Sequence, residues 1–464
     1  MARPDRRDPD GGSRARPSIP FLLWALASAG ALSTGTTACQ AERRVSTPVI
    51  LVSIDTLRPD HLGCYGYGAP TSPHIDAFRK DSVLFPEAVA HAPSTLPSHA
   101  SVLTSLIPPH HGASIANTRA LPREIETLAE VLRARGYATA SWNGGIQLDA
   151  AWGLDQGFDT YVSVKPRGAS AESLVLPEDR FAHVVSLART WLRTQGARPF
   201  FLFLHTYEVH HPYSPDAEDL APFRAGYAGP LPDQISVDLL RRVNAGEIRL
   251  TGRDRRQIVA AYDGEIRSMD RAFGTLVAFL RENGLYDPSL IVFTSDHGEE
   301  FGEHGRMGWH NHTLFDELLR VPLLVKLPSS GQGGESRQGQ ARGIDVAPTI
   351  LAAVGIEPPA AFEGRDLLAS DGIAAEAWSE RDVVAPNESV SIRTSEWKLY
   401  DTRLFDLRRD PREADDLASR RPDVVRLLRE RRKQMLEARP QPLRRDARPD
   451  EELLERLRSL GYLE

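Results

Sequence analysis

The sequence predicts an α/β fold: a large, mainly parallel sheet flanked by helices on both faces, with a small C-terminal antiparallel-sheet subdomain. Three observations carry this. The run Val49-Ile50-Leu51-Val52-Ser53-Ile54 is apolar and β-branched without polar alternation, as in a strand buried on both faces. Such runs alternate with amphipathic stretches, and strand–helix alternation builds parallel sheets. From about Pro358 the pattern changes to short strands separated by tight turns, which suits a small antiparallel sheet.

Taken in order, the first strand ends at Asp55, and helices follow around Pro73 to Lys80 and after Pro97. Thr127 to Arg135 reads as an amphipathic helix closed by Gly136, with a strand at Tyr137 to Trp142. A second pair is a helix from Phe181 to Thr194 and a strand from Phe200 to Leu204. Between Arg255 and Asn283, Ile258, Tyr262, Ile266, Met269, Phe273, Leu276 and Leu280 step by three or four, the clearest helix in the chain. Strands follow at Ser289 to Thr294 and Val321 to Lys326, then a helix at Asp345 to Val354. Ser389 to Arg393, Trp397 to Asp401 and Leu404 to Leu407 supply the later strands, and Pro422 to Glu437 and Asp450 to Leu460 the last helices. The expected domains are residues 1–45 as leader and linker, 46–357 as the α/β domain and 358–464 as the subdomain.

The 464 residues are 41% hydrophobic and 26% charged, an ordinary globular balance. The net charge of −7, with no basic block inside the chain, argues against nucleic acid as a partner. At the N-terminus, Arg3, Arg6, Arg7, Arg14 and Arg16 precede an apolar run from Ile19 to Leu32 and then small residues up to Ala38. That order is the order of an export signal. The run falls short of the roughly 20 residues of a membrane span. The protein is therefore expected to be exported, periplasmic or extracellular. Cys39 follows Thr36-Thr37-Ala38, so plain cleavage and a lipid anchor on Cys39 stand as equal alternatives, the latter the one expected link to a membrane. Two cysteines make no disulfide framework, and Cys64 reads as a packing residue.

In a parallel sheet, ligands sit beyond the C-terminal strand ends. Asp55, His205 and Asp296-His297 all fall there. Oxygen and nitrogen ligands together suit a transition-type divalent ion, whereas calcium prefers oxygen alone. Thr95 opens a helix whose Pro97 sits in the first turn, so the dipole and free N–H groups favour negative charge at the threonine. A metal beside Thr95 would lower the pKa of its hydroxyl and make it a nucleophile. His210 and His312 are read as functional, able to hold anionic oxygens or protonate a leaving group. His211 and His304 read as packing or surface residues. No histidine follows His312, which argues against a second metal site drawing on a late histidine.

As a set, these motifs resemble the sulfatase family of the alkaline-phosphatase-like superfamily. Val49 to Asp55 with Leu62-Gly63-Cys64-Tyr65-Gly66-Tyr67 resembles the family's opening strand and loop, and Thr95 to Ser105 its nucleophile motif. Thr294-Ser295-Asp296-His297-Gly298 resembles the metal strand, followed by Arg320-Val321-Pro322-Leu323. Phe362-Glu363-Gly364-Arg365 and Leu404-Phe405-Asp406-Leu407 with Asp410-Pro411 resemble C-terminal signatures. The resemblance implies one divalent ion (calcium, zinc or manganese) on Asp55, Thr95, Asp296 and His297. It makes Thr95 the nucleophile and sets His210 against the anionic group of the substrate. His310-Asn311-His312 falls where many members carry a substrate-contacting Lys. His99, His205, His310 and Asn143 complete the expected site, His99 with a catalytic and the other three with a substrate-binding role.

The departures shape the chemistry. The usual motif is Cys or Ser followed by x-Pro-Ser-Arg, with the first residue matured to formylglycine. Here Thr95-Leu96-Pro97-Ser98-His99 stands instead, so no formylglycine is expected and His99 replaces a permanent cation. Thr56 stands in place of a second Asp, and Trp142-Asn143-Gly144-Gly145 in place of Gly-Lys-Trp-His. The expected activity is a metal-dependent hydrolase of small-molecule or glycan sulfate esters. Hydrolysis of phosphodiesters or phosphonate monoesters, phosphotransfer from the same site, and non-catalytic anion binding are the alternatives.

Overall fold

The structure, a computed structural model, describes residues 47–164, 180–196, 198–224, 226–369, 376–382, 389–440, 444–459 and 463. The leader and Cys39 lie outside the described residues. Residues Val45–Glu464 make one compact unit.

Its central sheet has seven strands, in the order Val83–Leu84, Leu323–Lys326, Leu290–Ser295, Val49–Ile54, Phe200–Thr206, Ala138–Asn143 and Thr160–Ser163. The first two of these are antiparallel to their neighbours and the remaining pairings are parallel. Side chains alternate across the central strand, and both faces are covered. Ile50, Val52 and Ile54 join one core with the helices Phe181–Leu192 and Gly252–Glu282. Val49 and Leu51 join another with the helices Thr95–Thr104, Leu128–Ala134 and Val346–Ala353. A fully buried Val, Leu or Ile contributes about 1.5–3 kcal/mol, and every side chain of Val49–Ile54 is buried.

Capping explains the helix starts. Thr127 and Glu130 form a reciprocal box on one helix, and Thr251 and Asp254 on the 31-residue helix. Two differences from the sequence reading have clear causes. The strand expected at Val321 to Lys326 is split at Pro322, which has no N–H to donate to a ladder. Arg320–Val321 pairs instead with Glu87–Val89 in a separate three-stranded sheet with Gln340–Arg342. The strands Phe200–Thr206 and Leu290–Ser295 run one or two residues further than periodicity suggests, because parallel neighbours continue their ladders into the polar residues His205, Thr206 and Ser295.

The C-terminal sheet is antiparallel, with strands Ala377–Glu380, Val390–Arg393, Trp397–Tyr400 and Arg403–Asp406. It is tied to the larger part by charge: the fully buried Lys398 ammonium lies 2.9 Å from both Asp316 and Glu413, and Arg393 is 3.2 Å from Asp316. Among the described residues, no helix is long and apolar enough to cross a membrane. Lys398→Met leaves two buried carboxylates short of a cation and is expected to cost about 3–5 kcal/mol, read as a lower midpoint in urea unfolding.

Candidate active site

The register of three parallel strands builds the site. Ile54 is aligned with Ser295 on one side and Thr206 on the other, so Asp55 emerges beside Asp296, with His205 opposite Ser53. The chain then turns sharply: Thr56 takes φ 54°, a costly conformation for a β-branched residue. The turn is held by the Thr56 N–H donating to Asp296 Oδ1 (3.3 Å) and the Leu57 N–H to Ser295 Oγ (3.1 Å). From the long helix, the Tyr262 hydroxyl donates to the Thr56 carbonyl and accepts from the Arg58 N–H.

Thr95, fully buried, is the first residue of its helix. The far end of that helix is locked by the Phe362–Arg365 motif: the Glu363 N–H donates to the Ser105 carbonyl and the Gly364 N–H to Ser105 Oγ. A Cβ on Gly364 would lie 1.9 Å from the Ile344 carbonyl oxygen, so only glycine passes there. The expected fan of free N–H groups is narrower than the sequence suggested. The Leu96 N–H donates to Gln147 Oε1 and that of Ser98 to the Ser94 carbonyl, while Pro97 has none. Gln147, distant in sequence, fills the helix start.

Thr95 Oγ1 donates to Asp55 Oδ2 at 3.1 Å. Asp55 Oδ1, Asp296 Oδ2 and His297 Nε2 are buried and have no hydrogen-bond partner. One ligand atom from each of these three residues lies within 4.8 Å of the others. Three orphaned donor atoms converging on one point beside a hydroxyl fit a divalent cation. Burial pushes the Asp55 carboxyl up to about 6, against the pull of His297 and the Thr95 hydrogen bond. Burial and Asp55 likewise raise Asp296. For His297, Asp296 and Asp55 outweigh burial and raise the ring.

His99, His205 and Asp296 also converge, but His99 has no nitrogen to spare. Its Nδ1 donates to the Thr95 carbonyl (2.9 Å) and Nε2 faces Ser53 Oγ (3.0 Å). Burial holds the ring down to about 4, so it stands as a neutral brace under Thr95. His205 Nε2 is 3.4 Å from Asp55 Oδ2.

The model for sulfatases matches residues 47–356, over half of the protein. The chain belongs to the sulfatase family. A second model, N-sulphoglucosamine sulphohydrolase, C-terminal, matches residues 302–441. Among curated relatives, the multifunctional alkaline phosphatase superfamily protein of Trinickia caryophylli is 35% identical over 212 residues, 39% of each chain. The ulvan-active sulfatase of Formosa agariphila is 27% identical over 353 residues, 71% of this chain and 65% of that one. The chain thus spans less than two thirds of either relative's length. The fold matches a protein solved with its substrate D-glucosamine-2-N,6-O-disulfate, with TM-score 0.69, 19% identity and coverage of 85% and 99%. It also matches the phosphonate monoester hydrolase of Agrobacterium radiobacter, with TM-score 0.64, 21% identity and coverage of 84% and 95%.

Within this sulfatase framework, the residues expected from sequence divide. Asp55, Thr95, His99, His205, Asp296 and His297 come together. The His310 ring lies tilted 4.6 Å from the His297 ring and the His210 ring meets His310 edge-on at 4.9 Å, forming an adjoining layer. His312 gives Nδ1 to the His310 carbonyl and sets Nε2 2.6 Å from Glu300. Asn143 bonds to Ser141 and Val164 and not to Thr95. Cys64 packs against the core, and burial with Asp76 pushes its thiol up to about 12.

Sequence reasoning missed Tyr207, whose ring meets His205 edge-on at 5.0 Å and whose phenol, its pKa raised by burial and by Asp55, lies beside Thr95. Its signal was the double glycine: a Cβ on Gly145 would fall 1.8 Å from Tyr207 Cε2. The segment that departs most from the family pattern is what lets this ring reach the threonine. Gly145→Ala is therefore expected to displace the ring and match Tyr207→Phe, each lowering kcat about tenfold to a hundredfold with the melting temperature little changed. Equal kcat in Tyr207→Phe and wild type would remove the phenol from the chemistry.

Proposed function

We propose that the protein is an exported metal-dependent hydrolase that cleaves sulfate esters through an unmodified Thr95. The carrying observation is the Thr95 hydroxyl, 3.1 Å from a buried carboxylate that has one oxygen left for a cation. Asp55, Asp296, His297 and the Thr95 oxygen would hold one divalent ion. When bound, the ion supplies positive charge that makes the hydroxyl more acidic and offsets charge building on the sulfuryl oxygens.

The chain's own groups account for the rest. Thr95 passes its proton to Asp55 Oδ2 as its oxygen attacks sulfur. The S–O bond to the organic group breaks, and the leaving oxygen departs as an alcohol carrying the proton that Asp55 took from Thr95. Water then adds to sulfur, the S–O bond to Thr95 breaks, and one proton of that water restores the Thr95 hydroxyl as sulfate leaves. His99 fixes the Thr95 backbone, and Asp55 fixes its hydroxyl. Membership of the family, and the relative described as acting on ulvan, support a glycan or small-molecule sulfate as substrate. The arginine-rich leader supports export, with Cys39 as an optional lipid anchor.

A second reading rests on the same residue. Thr95 is a plain hydroxyl and not an aldehyde hydrate, which suits phosphodiesters or phosphonate monoesters equally. Phosphotransfer follows if an acceptor alcohol replaces water.

An assay of purified, metal-supplemented protein against aryl sulfate, aryl phosphodiester and aryl phosphonate decides among these. Turnover is expected to be fastest with the sulfate and to fall at least about a thousandfold in Thr95→Ala. Quenched wild type should carry a sulfuryl mass on Thr95. A phosphoryl adduct would select the second reading, and unchanged turnover in Thr95→Ala would sink the nucleophile. Chelation should abolish activity, and zinc or manganese should restore it better than calcium, because one ligand is an imidazole. Metal bound without turnover of any ester would leave a binding protein.

A further inference from the structure

We propose that the side-chain amide of Gln147 donates to a non-bridging oxygen of the ester as Thr95 attacks it. This rests on the reading that Thr95 is the nucleophile. Gln147 lies in the short turn Ile146–Leu148, directly after the double glycine, and is fully buried.

Two hydrogen bonds fix which way this amide faces. The Leu96 N–H donates to Oε1 at 3.1 Å, and the Ser94 hydroxyl donates to the same oxygen at 3.2 Å. A backbone N–H only donates, so exchanging the amide oxygen and nitrogen would set two donors face to face. Oε1 is therefore spent on the residues either side of Thr95. The amino group stands on the same planar amide, and Nε2 is buried with no hydrogen-bond partner. Buried donors are rarely left so, because an unmade bond costs the full desolvation of the group. Filling the helix start needs the oxygen alone, so the amino group serves another partner.

The neighbouring acceptors do not supply that partner. Asp55 Oδ1 and Asp296 Oδ2 are buried without a hydrogen bond of their own, and both are assigned to the cation. The Gln147 donor needs an acceptor that arrives with the ligand. Attack by Thr95 builds negative charge on the non-bridging oxygens of the sulfuryl or phosphoryl group, at the positive end of a ten-residue helix. Among the described residues, no Lys or Arg makes a hydrogen bond or ion pair with Thr95, Asp55 or Asp296. The amide gives that oxygen a hydrogen bond from a neutral group and transfers no proton. Sulfate, phosphodiester and phosphonate esters all carry such an oxygen, so Gln147 serves sulfur and phosphorus alike.

Two variants separate a donor from a helix cap. Gln147→Glu keeps an oxygen for Leu96 and Ser94 and loses the donor, whereas Gln147→Met loses both without adding charge. Full-length, metal-supplemented protein is assayed against aryl sulfate, aryl phosphodiester and aryl phosphonate, and circular dichroism reports folding. In both variants kcat on the ester that wild type turns over fastest should fall about 100–1000-fold. Calorimetry with the same esters on the Thr95→Ala protein should show binding that Gln147→Met weakens about tenfold to a hundredfold. Wild-type kcat in Gln147→Glu leaves a cap alone and overturns the proposal. Wild-type kcat in Gln147→Met, with loss only in Gln147→Glu, leaves charge repulsion alone and overturns it too. In either case an inactive Thr95→Ala keeps the nucleophile reading intact. Unchanged turnover in Thr95→Ala, with both Gln147 variants impaired, sinks the nucleophile and keeps the donor. If wild type turns over no ester, the calorimetry decides, and unchanged affinity in Gln147→Met overturns the donor. No ester bound by either wild type or Thr95→Ala overturns both readings. Gln147→Glu, which retains the cap, carries the test if Gln147→Met does not fold.

Discussion

Two buried carboxylates at adjacent strand ends govern the structure of this protein. Once Val49–Ile54 and Leu290–Ser295 pair in register, Asp55 and Asp296 have to emerge side by side. Burial pushes both towards the protonated state, and the charge of Asp55 adds to the rise at Asp296. The arrangement is tolerable only where something positive arrives, and much of the nearby architecture serves that need. His297 supplies a nitrogen, the strained turn at Thr56 aims an N–H at Asp296, and Tyr262 on the long helix clamps that turn. The nucleophile helix then brings a hydroxyl, and not a further charge, against Asp55.

The absence of the cations usual in sulfatases looks different once His99 is seen in place. A charged side chain there would be buried under the Thr95 carbonyl, against His205 at a ring distance of 4.9 Å. The neutral imidazole instead braces the Thr95 carbonyl through Nδ1 and the Ser53 hydroxyl through Nε2. The charge that offsets Asp55 and Asp296 therefore does not come from His99, and among the described residues the layer of His210, His211 and His310 gathers around the buried Glu299. Tyr207 follows the same logic: a neutral phenol, for which Gly145 leaves room, lies beside the threonine.

Much of this was legible from residue order alone. The β-branched run before Asp55, the helix spacing from Ile258 to Leu280 and the motif around Asp296-His297 pointed to the sheet, to the long helix and to residues that the structure brings together. Local pattern was enough because strand ends and helix faces are local properties. The roles of single histidines were less legible. His211 read as packing and lines the histidine layer, whereas His312 read as functional and sets Nδ1 against the His310 carbonyl with Nε2 near Glu300. Which nitrogen a histidine uses depends on partners 88 or 11 residues away, such as Glu299.

Sequence by itself determined the fold class, the family and the set of Asp55, Thr95, Asp296 and His297, because backbone periodicity and motif spacing are written in consecutive residues. Only the tertiary structure decided that Gln147 fills the start of the Thr95 helix, that Gly145 leaves room for Tyr207, and that Glu299 faces His211 and His310 at once. Each of these depends on side chains from separate elements meeting at one point. Such meetings are set by sheet register and helix packing, which no single stretch of sequence contains.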